Sequence, residues 1–213
     1  MAELLTIKNL LIIVLCYLIG SFPTAYVFVK LKSNKDIAKE GSGNVGTLNS
    51  FKVTQSKTIG ITVLLIDLLK GLIPVYAMMF ILNMAYPSIM FGACGLILGH
   101  NYPVWLKFKG GRGLAAGAGI FFAVNYFIVF GWCLVWLVMF AVKKKVLLSN
   151  TVATFCLPLY ILLVNNFEWL VVNSGINEFS QTYFTVFSIV ITIIILSKHL
   201  EDGIYGISKR RNL

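Results

Sequence analysis

The chain has 213 residues, of which 58% are hydrophobic and only 12% are charged, and its mean hydropathy is +0.86. This composition excludes an ordinary soluble domain and is typical of a polytopic membrane protein, so the lipid bilayer is the first predicted partner. The net charge of +10 is mostly a topology signal, and nucleic-acid binding is not expected.

Seven apolar segments follow one another along the chain. They predict an all-α integral membrane protein with about seven transmembrane helices, forming a single domain over residues 1–213. The segments cover residues 5–29, 58–84, 86–106, 113–124, 126–142, 146–165 and 183–198. The first lacks a signal-peptide cleavage site and is predicted to be a retained helix. The fourth is short for a hydrocarbon core of about 30 Å and could be a half-span or a re-entrant piece.

The basic residues test this count independently, because Lys and Arg concentrate in cytoplasmic loops. Of the 18 basic residues, six lie at 30–57, three at 107–112, three at 143–145 and four at 198–213. With seven spans, these four regions fall on one face of the membrane. The N-terminus is therefore predicted to lie outside and the C-terminus in the cytoplasm.

The four cysteines lie inside apolar runs and lack the paired spacing of metal ligands. The sequence therefore predicts that all four are buried hydrophobic residues. They are Cys16, Cys94, Cys133 and Cys156.

The first of two glycine-rich stretches on the basic face reads KEGSGNVGTLNS, residues 39–50. Glycine allows positive φ, and successive backbone N–H groups in a turn form an anion-binding nest, for which phosphate is the obvious guest. Ser42, Asn44 and Asn49 add neutral donors, and Lys52 adds a positive charge.

The second stretch reads GHNYPVWLKFKGGRGLAAG, residues 99–117, and places Lys107, Lys109 and Arg112 around Gly110 and Gly111. A helix N-terminus is predicted to follow, and its dipole favours an anion. Neither stretch matches the nucleoside-triphosphate loop pattern. Ordinary turns and close helix packing remain alternatives, the latter because four glycines recur at small-xxx-small spacing: Gly95, Gly99, Gly113 and Gly117.

Four further polar residues lie within or beside the apolar segments, where polar groups are costly. Asp67 and Lys70 are three apart on one helix face and could pair with each other. His100 and His199 lie at the predicted cytoplasmic ends of the third and seventh segments, as boundary residues or as functional ones.

The assembled motifs resemble the bacterial integral-membrane glycerol-3-phosphate acyltransferases that use acyl phosphate, the PlsY family. The resemblance covers essentially the whole chain and rests on five blocks in family order. They are YLIGSFPTAY (17–26), GSGNVGTLN (41–49), DLLKG (67–71), GHNYPVWLKFKGGRG (99–113) and KH (198–199). It implies a multi-pass protein of the bacterial cell membrane with seven helices, an external N-terminus and an active site at the cytoplasmic face.

The family's reaction transfers a fatty acyl group from acyl phosphate to the 1-hydroxyl of glycerol 3-phosphate, giving lysophosphatidic acid and phosphate. By resemblance, Ser42 and His199 would be catalytic, and Asp67 and Lys70 would be structural. The implied phosphate-binding or substrate-binding residues are Gly41, Gly43, Asn44, Gly46, Asn49, Lys52, Lys109, Gly110, Gly111, Arg112 and Asp202. Because the acyl phosphate is already activated, no cofactor, metal or protein nucleophile is expected.

The chain departs from the family pattern within the implied site. Thr47 and Leu48 stand where the family has Ala and Thr, Lys52 replaces an arginine, Arg112 a lysine, and Asp202 an asparagine. Arg and Lys are not interchangeable at bidentate sites, and a carboxylate at 202 would repel phosphate unless paired. Two alternatives therefore stay open: a divergent relative that acylates another polar acceptor, and a non-catalytic relative that binds or transports an anionic lipid. A monomer is expected.

Overall fold

The computed structural model describes residues 6–165 and 178–211, with side chains described for 6–163 and 184–200. Within these ranges the chain forms ten α-helices and is all-α. They are α1 (Ile7–Gly20), α2 (Thr24–Ser33), α3 (Thr47–Thr54), α4 (Lys57–Tyr76), α5 (Tyr86–Asn101), α6 (Leu114–Val124), α7 (Tyr126–Lys143), α8 (Val146–Phe155), α9 (Leu157–Asn165) and α10 (Glu178–Arg211). A π-helical turn, Ala77–Ile81, extends α4, and a 3₁₀ turn, Val104–Leu106, follows α5.

Four helical stretches of the described chain are long and apolar enough to cross a membrane: Ile7–Ser33, Lys57–Ile81, Tyr86–Leu106 and Tyr126–Lys143. The bent pair Val146–Phe155 and Leu157–Leu163, at 40° to each other, would make a fifth. Two shorter apolar helices, Leu114–Val124 and Phe184–Leu200, coincide with the remaining predicted segments. All seven predicted segments are thus mainly helical where described, with breaks at 21–23, 82–84 and 102–103, whereas the number that cross the bilayer stays a prediction.

α5 is the central helix of the bundle. In the most apolar stretch of its span, 56% of the residues are buried. The corresponding share for Tyr126–Lys143 is 6%, so the surface of that helix is left to face lipid. Asn101, at the end of α5 and 0% exposed, donates from Nδ2 to the Ile194 carbonyl oxygen at 3.1 Å. This hydrogen bond ties α5 to α10.

Two helix pairs pack at backbone-to-backbone distance through glycine. A Cβ on Gly99 or Gly20 would collide with the backbone of the other helix of the α1–α5 pair, at Tyr17 and Leu96 respectively. Between α4 and α6, Gly71 lies against the Ala116 carbonyl and Gly119 against the Leu68 carbonyl. The packing alternative for the glycine spacing is therefore confirmed for Gly95 and Gly99, both of which lie against the backbone of α1.

The fourth predicted segment is a helix of 11 residues, α6, and most of it is buried, including Ala116, Ile120 and Phe121. The prediction about the cysteines was wrong in part. Cys16 is buried, but Cys94 and Cys156 are half-buried, and Cys133 is exposed on α7, where it also borders an apolar cavity. An apolar run in a membrane protein does not distinguish a core face from a lipid face.

Candidate active site

A cavity of about 790 Å³ lies where four helices begin: α3, α4, α6 and α8. Both glycine-rich stretches reach it, as does the end of α5. Its polar lining consists of Asn44, Gly46, Thr47, Lys57, Asp67, His100, Arg112, Gly113 and Asn150. Its apolar lining includes Leu48, Phe51, Ile61, Leu64, Leu114, Trp132 and Trp136.

Two helix N-termini at this cavity begin with a glycine cap. Gly46 precedes α3, and Gly113, at φ 80°, precedes α6. A glycine has no side chain with which to cap the first-turn N–H groups, which therefore remain available to a ligand and carry the positive end of the helix dipole. Lys57 and Arg112 add positive charge to the same wall. These features make the cavity suited to an anion.

The first glycine-rich loop is held in shape by Asn49, whose side chain is 2% exposed. Its Oδ1 accepts from the Ser42 N–H at 3.0 Å, and its Nδ2 donates to the carbonyls of Glu40 at 3.0 Å and Ile37 at 3.3 Å. Gly43, at φ 75°, donates its N–H to the Glu40 carbonyl at 2.9 Å. Several N–H groups of this loop are thus used by the loop itself.

The second loop folds back on the end of α5. The N–H of Gly110 donates to the Asn101 carbonyl at 3.1 Å, and that of Gly111 donates to the His100 carbonyl at 3.2 Å. A Cβ on Gly111 would collide with the His100 ring, and one on Gly110 with the Asn101 and His100 carbonyls. These two glycines permit close approach, and their N–H groups are occupied by backbone partners.

A buried charged cluster borders the cavity through Asp67 and His100. Lys70 Nζ lies 3.0 Å from Asp67 Oδ1, with the two side chains 8% and 3% exposed, which confirms the predicted pair. Lys70 also donates to the Phe22 carbonyl at 3.2 Å, at the break between α1 and α2. His100 Nδ1 lies 3.8 Å from the same Asp67 oxygen. Among the described residues, no three His, Cys, Asp or Glu side chains gather as metal ligands.

The residues predicted for the site divide into two groups. Asn44, Gly46 and Arg112 line the cavity. Within the described side chains, the other predicted residues lie outside its wall: Gly41, Ser42, Gly43, Asn49, Lys52, Lys109, Gly110, Gly111 and His199. His199 is 3% exposed, and its Nδ1 lies 2.9 Å from the Ile195 carbonyl on its own helix. The side chain of Asp202 lies outside the described residues.

Sequence reasoning did not include several cavity residues, notably Lys57, Trp132, Trp136 and Asn150. The sequence did contain one pattern that indicates Trp132, Trp136 and Asn150. Trp132 and Trp136 are four apart on α7, and Asn150 and Thr154 are four apart on α8, so each pair lies on one helix face across a short turn. Lys57 follows the N-cap Ser56 of α4, and only packing brings it to the cavity.

A second cavity, of about 240 Å³, adjoins the first and is almost entirely apolar. The two share Leu64, Leu114, Ala115 and Trp132. The smaller one extends into the bundle between α6, α7 and α10, and its other lining includes Gly117, Ala118, Phe121, Ile128, Leu157 and Ile195. The site therefore has a polar end that carries Lys57 and Arg112, and an apolar arm.

The fold and the site define an integral membrane protein with a place for an amphipathic anion. Residues 10–207 match the family model described as glycerol-3-phosphate acyltransferase. A Pelagibacter ubique glycerol-3-phosphate acyltransferase is 33% identical over 196 residues, which cover 92% of each chain.

Two crystal structures of PlsY, an integral membrane glycerol 3-phosphate acyltransferase, are also similar. The glycerol 3-phosphate form has a TM-score of 0.75 at 31% identity, covering 95% of this chain and 93% of that one. The lysophosphatidic acid form has a TM-score of 0.74 at 30% identity, with the same coverage. The chain belongs to the glycerol-3-phosphate acyltransferase family and is a membrane acyltransferase.

Proposed function

We propose that this protein transfers a fatty acyl group from acyl phosphate to the 1-hydroxyl of glycerol 3-phosphate, releasing lysophosphatidic acid and phosphate. The observation that carries the proposal is the continuity of the two cavities, one polar and about 790 Å³, the other apolar and about 240 Å³. Both substrates carry phosphate and one carries a long alkyl chain. A site for both needs an anion-binding end joined to an apolar arm.

The polar cavity supplies the phosphate contacts. The first-turn N–H groups of α3 and α6 and the side chains of Arg112 and Lys57 face the same space. Arg112 can present two parallel N–H groups to a phosphate, which a lysine cannot. Two anions are held close in such a site because the helix ends and cations offset their mutual repulsion.

The apolar cavity takes the acyl chain of the donor. Its lining residues Leu114, Phe121 and Ile128 belong to the apolar helices α6 and α7, so the acyl chain would lie inside the bundle. The activated head of the donor would then lie at the shared wall, beside Leu64 and Trp132. This geometry places the reacting carbonyl next to the anion-binding end.

The chemistry needs little beyond positioning. The acceptor hydroxyl oxygen attacks the acyl carbonyl carbon, the new ester bond forms, and the bond between that carbon and the phosphate oxygen breaks. The hydroxyl proton ends on the released phosphate. Charge that develops on the carbonyl and phosphate oxygens is stabilised by preorganised N–H groups and by Arg112, the proximity and electrostatic terms of enzyme catalysis. The contributions implied for Ser42 and His199 stay predictions, to be tested with Ser42→Ala and His199→Ala.

The cavity lies at the basic end of the molecule. The loops at 34–46 and 107–113 reach it, and Val146, which lines it, directly follows the three lysines at 143–145. Since basic loops are retained in the cytoplasm, we place the site at the cytoplasmic face of the bacterial cell membrane. Seven spans and an external N-terminus accord with this placement.

The test is a transfer assay with purified protein in lipid bilayers. Acyl phosphate is compared with acyl-coenzyme A and acyl-carrier-protein donors, and phosphate release and lysophosphatidic acid are measured together. We expect equal amounts of the two products with acyl phosphate and glycerol 3-phosphate. Transfer only from a thioester donor would overturn the donor assignment and leave the acyltransferase family intact.

A second acceptor remains a candidate because Leu48, 46% exposed, contributes an apolar side chain to the polar cavity. Together with the nearby Thr47, it changes the lining beside the α3 N-terminus. An acceptor panel separates the two candidates. A higher kcat/KM with a phosphate-free polyol than with glycerol 3-phosphate would favour the divergent acceptor.

A further inference from the structure

Asn150, on α8, lines the polar cavity and is 8% exposed. Its Oδ1 accepts a hydrogen bond from Trp136 Nε1, on α7, at 2.6 Å. The indole nitrogen of tryptophan is only a donor, so the atom of Asn150 that faces it must be the amide oxygen. The orientation of this amide is therefore decided by chemistry.

The consequence is that the Asn150 NH₂ group points away from Trp136. Within the described part of the chain, this group has no hydrogen-bond acceptor, although its residue borders the cavity. The nitrogen is not among the fully buried side-chain atoms that lack a partner, so it is accessible from the cavity, and a ligand oxygen there would accept its hydrogen bond.

A second tryptophan pair locates Asn150 relative to the apolar arm. One turn along both helices, Trp132 Nε1 donates to Thr154 Oγ1 at 3.1 Å, and both of these residues line the apolar cavity. Asn150 is thus four residues from Thr154 of the apolar arm, about 6 Å along the helix. The head of a molecule whose chain fills that arm would lie at Asn150.

We propose that Asn150 is a substrate-contacting residue that donates a hydrogen bond from Nδ2 to an oxygen of the activated head of the acyl donor, oriented for this by Trp136. The inference rests on the proposed acyl-phosphate reaction. The acceptor oxygen belongs to the acyl phosphate group, whether carbonyl or phosphoryl.

The variant Asn150→Asp separates this role from a structural one. A carboxylate still accepts from Trp136, so the pairing of α7 and α8 is kept, but it presents a negative oxygen where the donor was. We expect Asn150→Asp to raise the KM for acyl phosphate about tenfold or more, and more than Asn150→Ala does, while the KM for glycerol 3-phosphate changes less than about threefold. Trp136→Phe, which frees the amide to rotate, should give an intermediate effect.

The matched control is Ser149→Ala, because Ser149 is the neighbouring buried polar residue and donates to the Lys145 carbonyl at 3.0 Å on its own helix. It should leave both KM values unchanged. Asn150→Asp activity equal to or above that of Asn150→Ala would show that Asn150 only supports Trp136. If Asn150→Asp does not fold, the two KM values of Asn150→Ala decide, and an increase confined to glycerol 3-phosphate would overturn the assignment. Failure of the proposed function is distinguishable, because the wild-type protein would then show no transfer from acyl phosphate.

Discussion

Arg112 is the half-buried cation of the polar cavity, three residues beyond the exposed Lys109. Both side chains were predicted to bind phosphate, but the loop places only Arg112 in the wall of the cavity and leaves Lys109 exposed outside it. Arg112 immediately precedes the Gly113 cap of α6, so its charge and the helix dipole act on the same volume. Lys109 faces outward and would have to extend back to reach a ligand.

For Arg112, we expect the alanine variant to lose about tenfold to a hundredfold in kcat/KM, since a charge-assisted hydrogen bond to phosphate is removed. Arg112→Lys should retain part of the activity, because the charge remains but the bidentate contact is lost. Lys39→Ala is the matched control: it removes a cation that is 82% exposed in the first loop. Steady-state kinetics with both substrates gives the answer, and equal losses in Arg112→Ala and Lys39→Ala would contradict a local contact.

Lys57 is a cavity residue that only the structure identified. Because it is exposed to solvent, its contribution is screened, and we expect Lys57→Ala to raise the KM for the anionic substrates by about threefold to tenfold at low salt. The increase should shrink as ionic strength rises. A KM that is insensitive to salt in both the wild type and Lys57→Ala would show that Lys57 has no electrostatic role.

At the scale of elements, the first glycine-rich loop depends on one amide from the following helix. Asn49 satisfies the backbone at Ser42, Glu40 and Ile37, across twelve residues of sequence. This clamp places Asn44 and the α3 N-terminus at the cavity. The role of the asparagine is to hold the loop that borders the cavity.

Replacement of Asn49 should therefore disorder the loop while the bundle stays folded. We expect Asn49→Ala to lose at least about tenfold in kcat/KM because three hydrogen bonds to loop backbone disappear. Gln55→Ala, at the exposed end of α3, is the control. Protease susceptibility between residues 36 and 46 reports the loop directly, and an unchanged cleavage pattern in Asn49→Ala would argue against the clamp.

The contact between α4 and α6 sets the width of the site, because Leu64 and Leu114 on these helices line both cavities. We expect Gly119→Ala to destabilise the protein by about 1 to 3 kcal/mol, since the added methyl group would collide with the Leu68 carbonyl. Gly117→Ala is the control on the same helix, where the new atom would meet the end of the Ile195 side chain at 3.1 Å. Thermal unfolding in detergent compares the two, and equal melting temperatures would contradict the packing explanation.

At the scale of the whole molecule, one end carries the cavity, both glycine-rich loops and the lysines at 143–145. The connection near residue 85 contributes no residue to the cavity. The basic residues that predict the cytoplasmic side therefore lie at the same end of the molecule as the cavity. The single domain over 1–213 and the monomeric state stay predictions.

The membrane topology can be tested in a variant in which the four native cysteines have been replaced. We expect Lys39→Cys and Lys144→Cys to be labelled only when a membrane-impermeant reagent has access to the cytoplasmic side, because basic loops are retained there. Ala85→Cys, in an exposed connection at 82–85, should be labelled from the outside. Labelling of Lys144→Cys from the outside would rule out the seven-span arrangement.

Much of the fold could be predicted from the sequence, because hydropathy and charge are local properties. The positions of the helices, the basic loops and the Asp67–Lys70 pair at i,i+3 all follow from short-range patterns. The family resemblance rests on contiguous blocks, and the match over residues 10–207 confirmed it. Asn44, Gly46 and Arg112 at the cavity were predicted in the same way.

Only the tertiary structure decided which of the candidate groups face the polar cavity. Gly110 and Gly111 use their N–H groups on the end of α5, whereas the glycine caps before α3 and α6 leave N–H groups at the cavity. Asn150 reaches the same cavity through the packing of α7 on α8. The physical reason is that a backbone donor or a buried amide has one set of partners at a time, and that set depends on which helices meet in space.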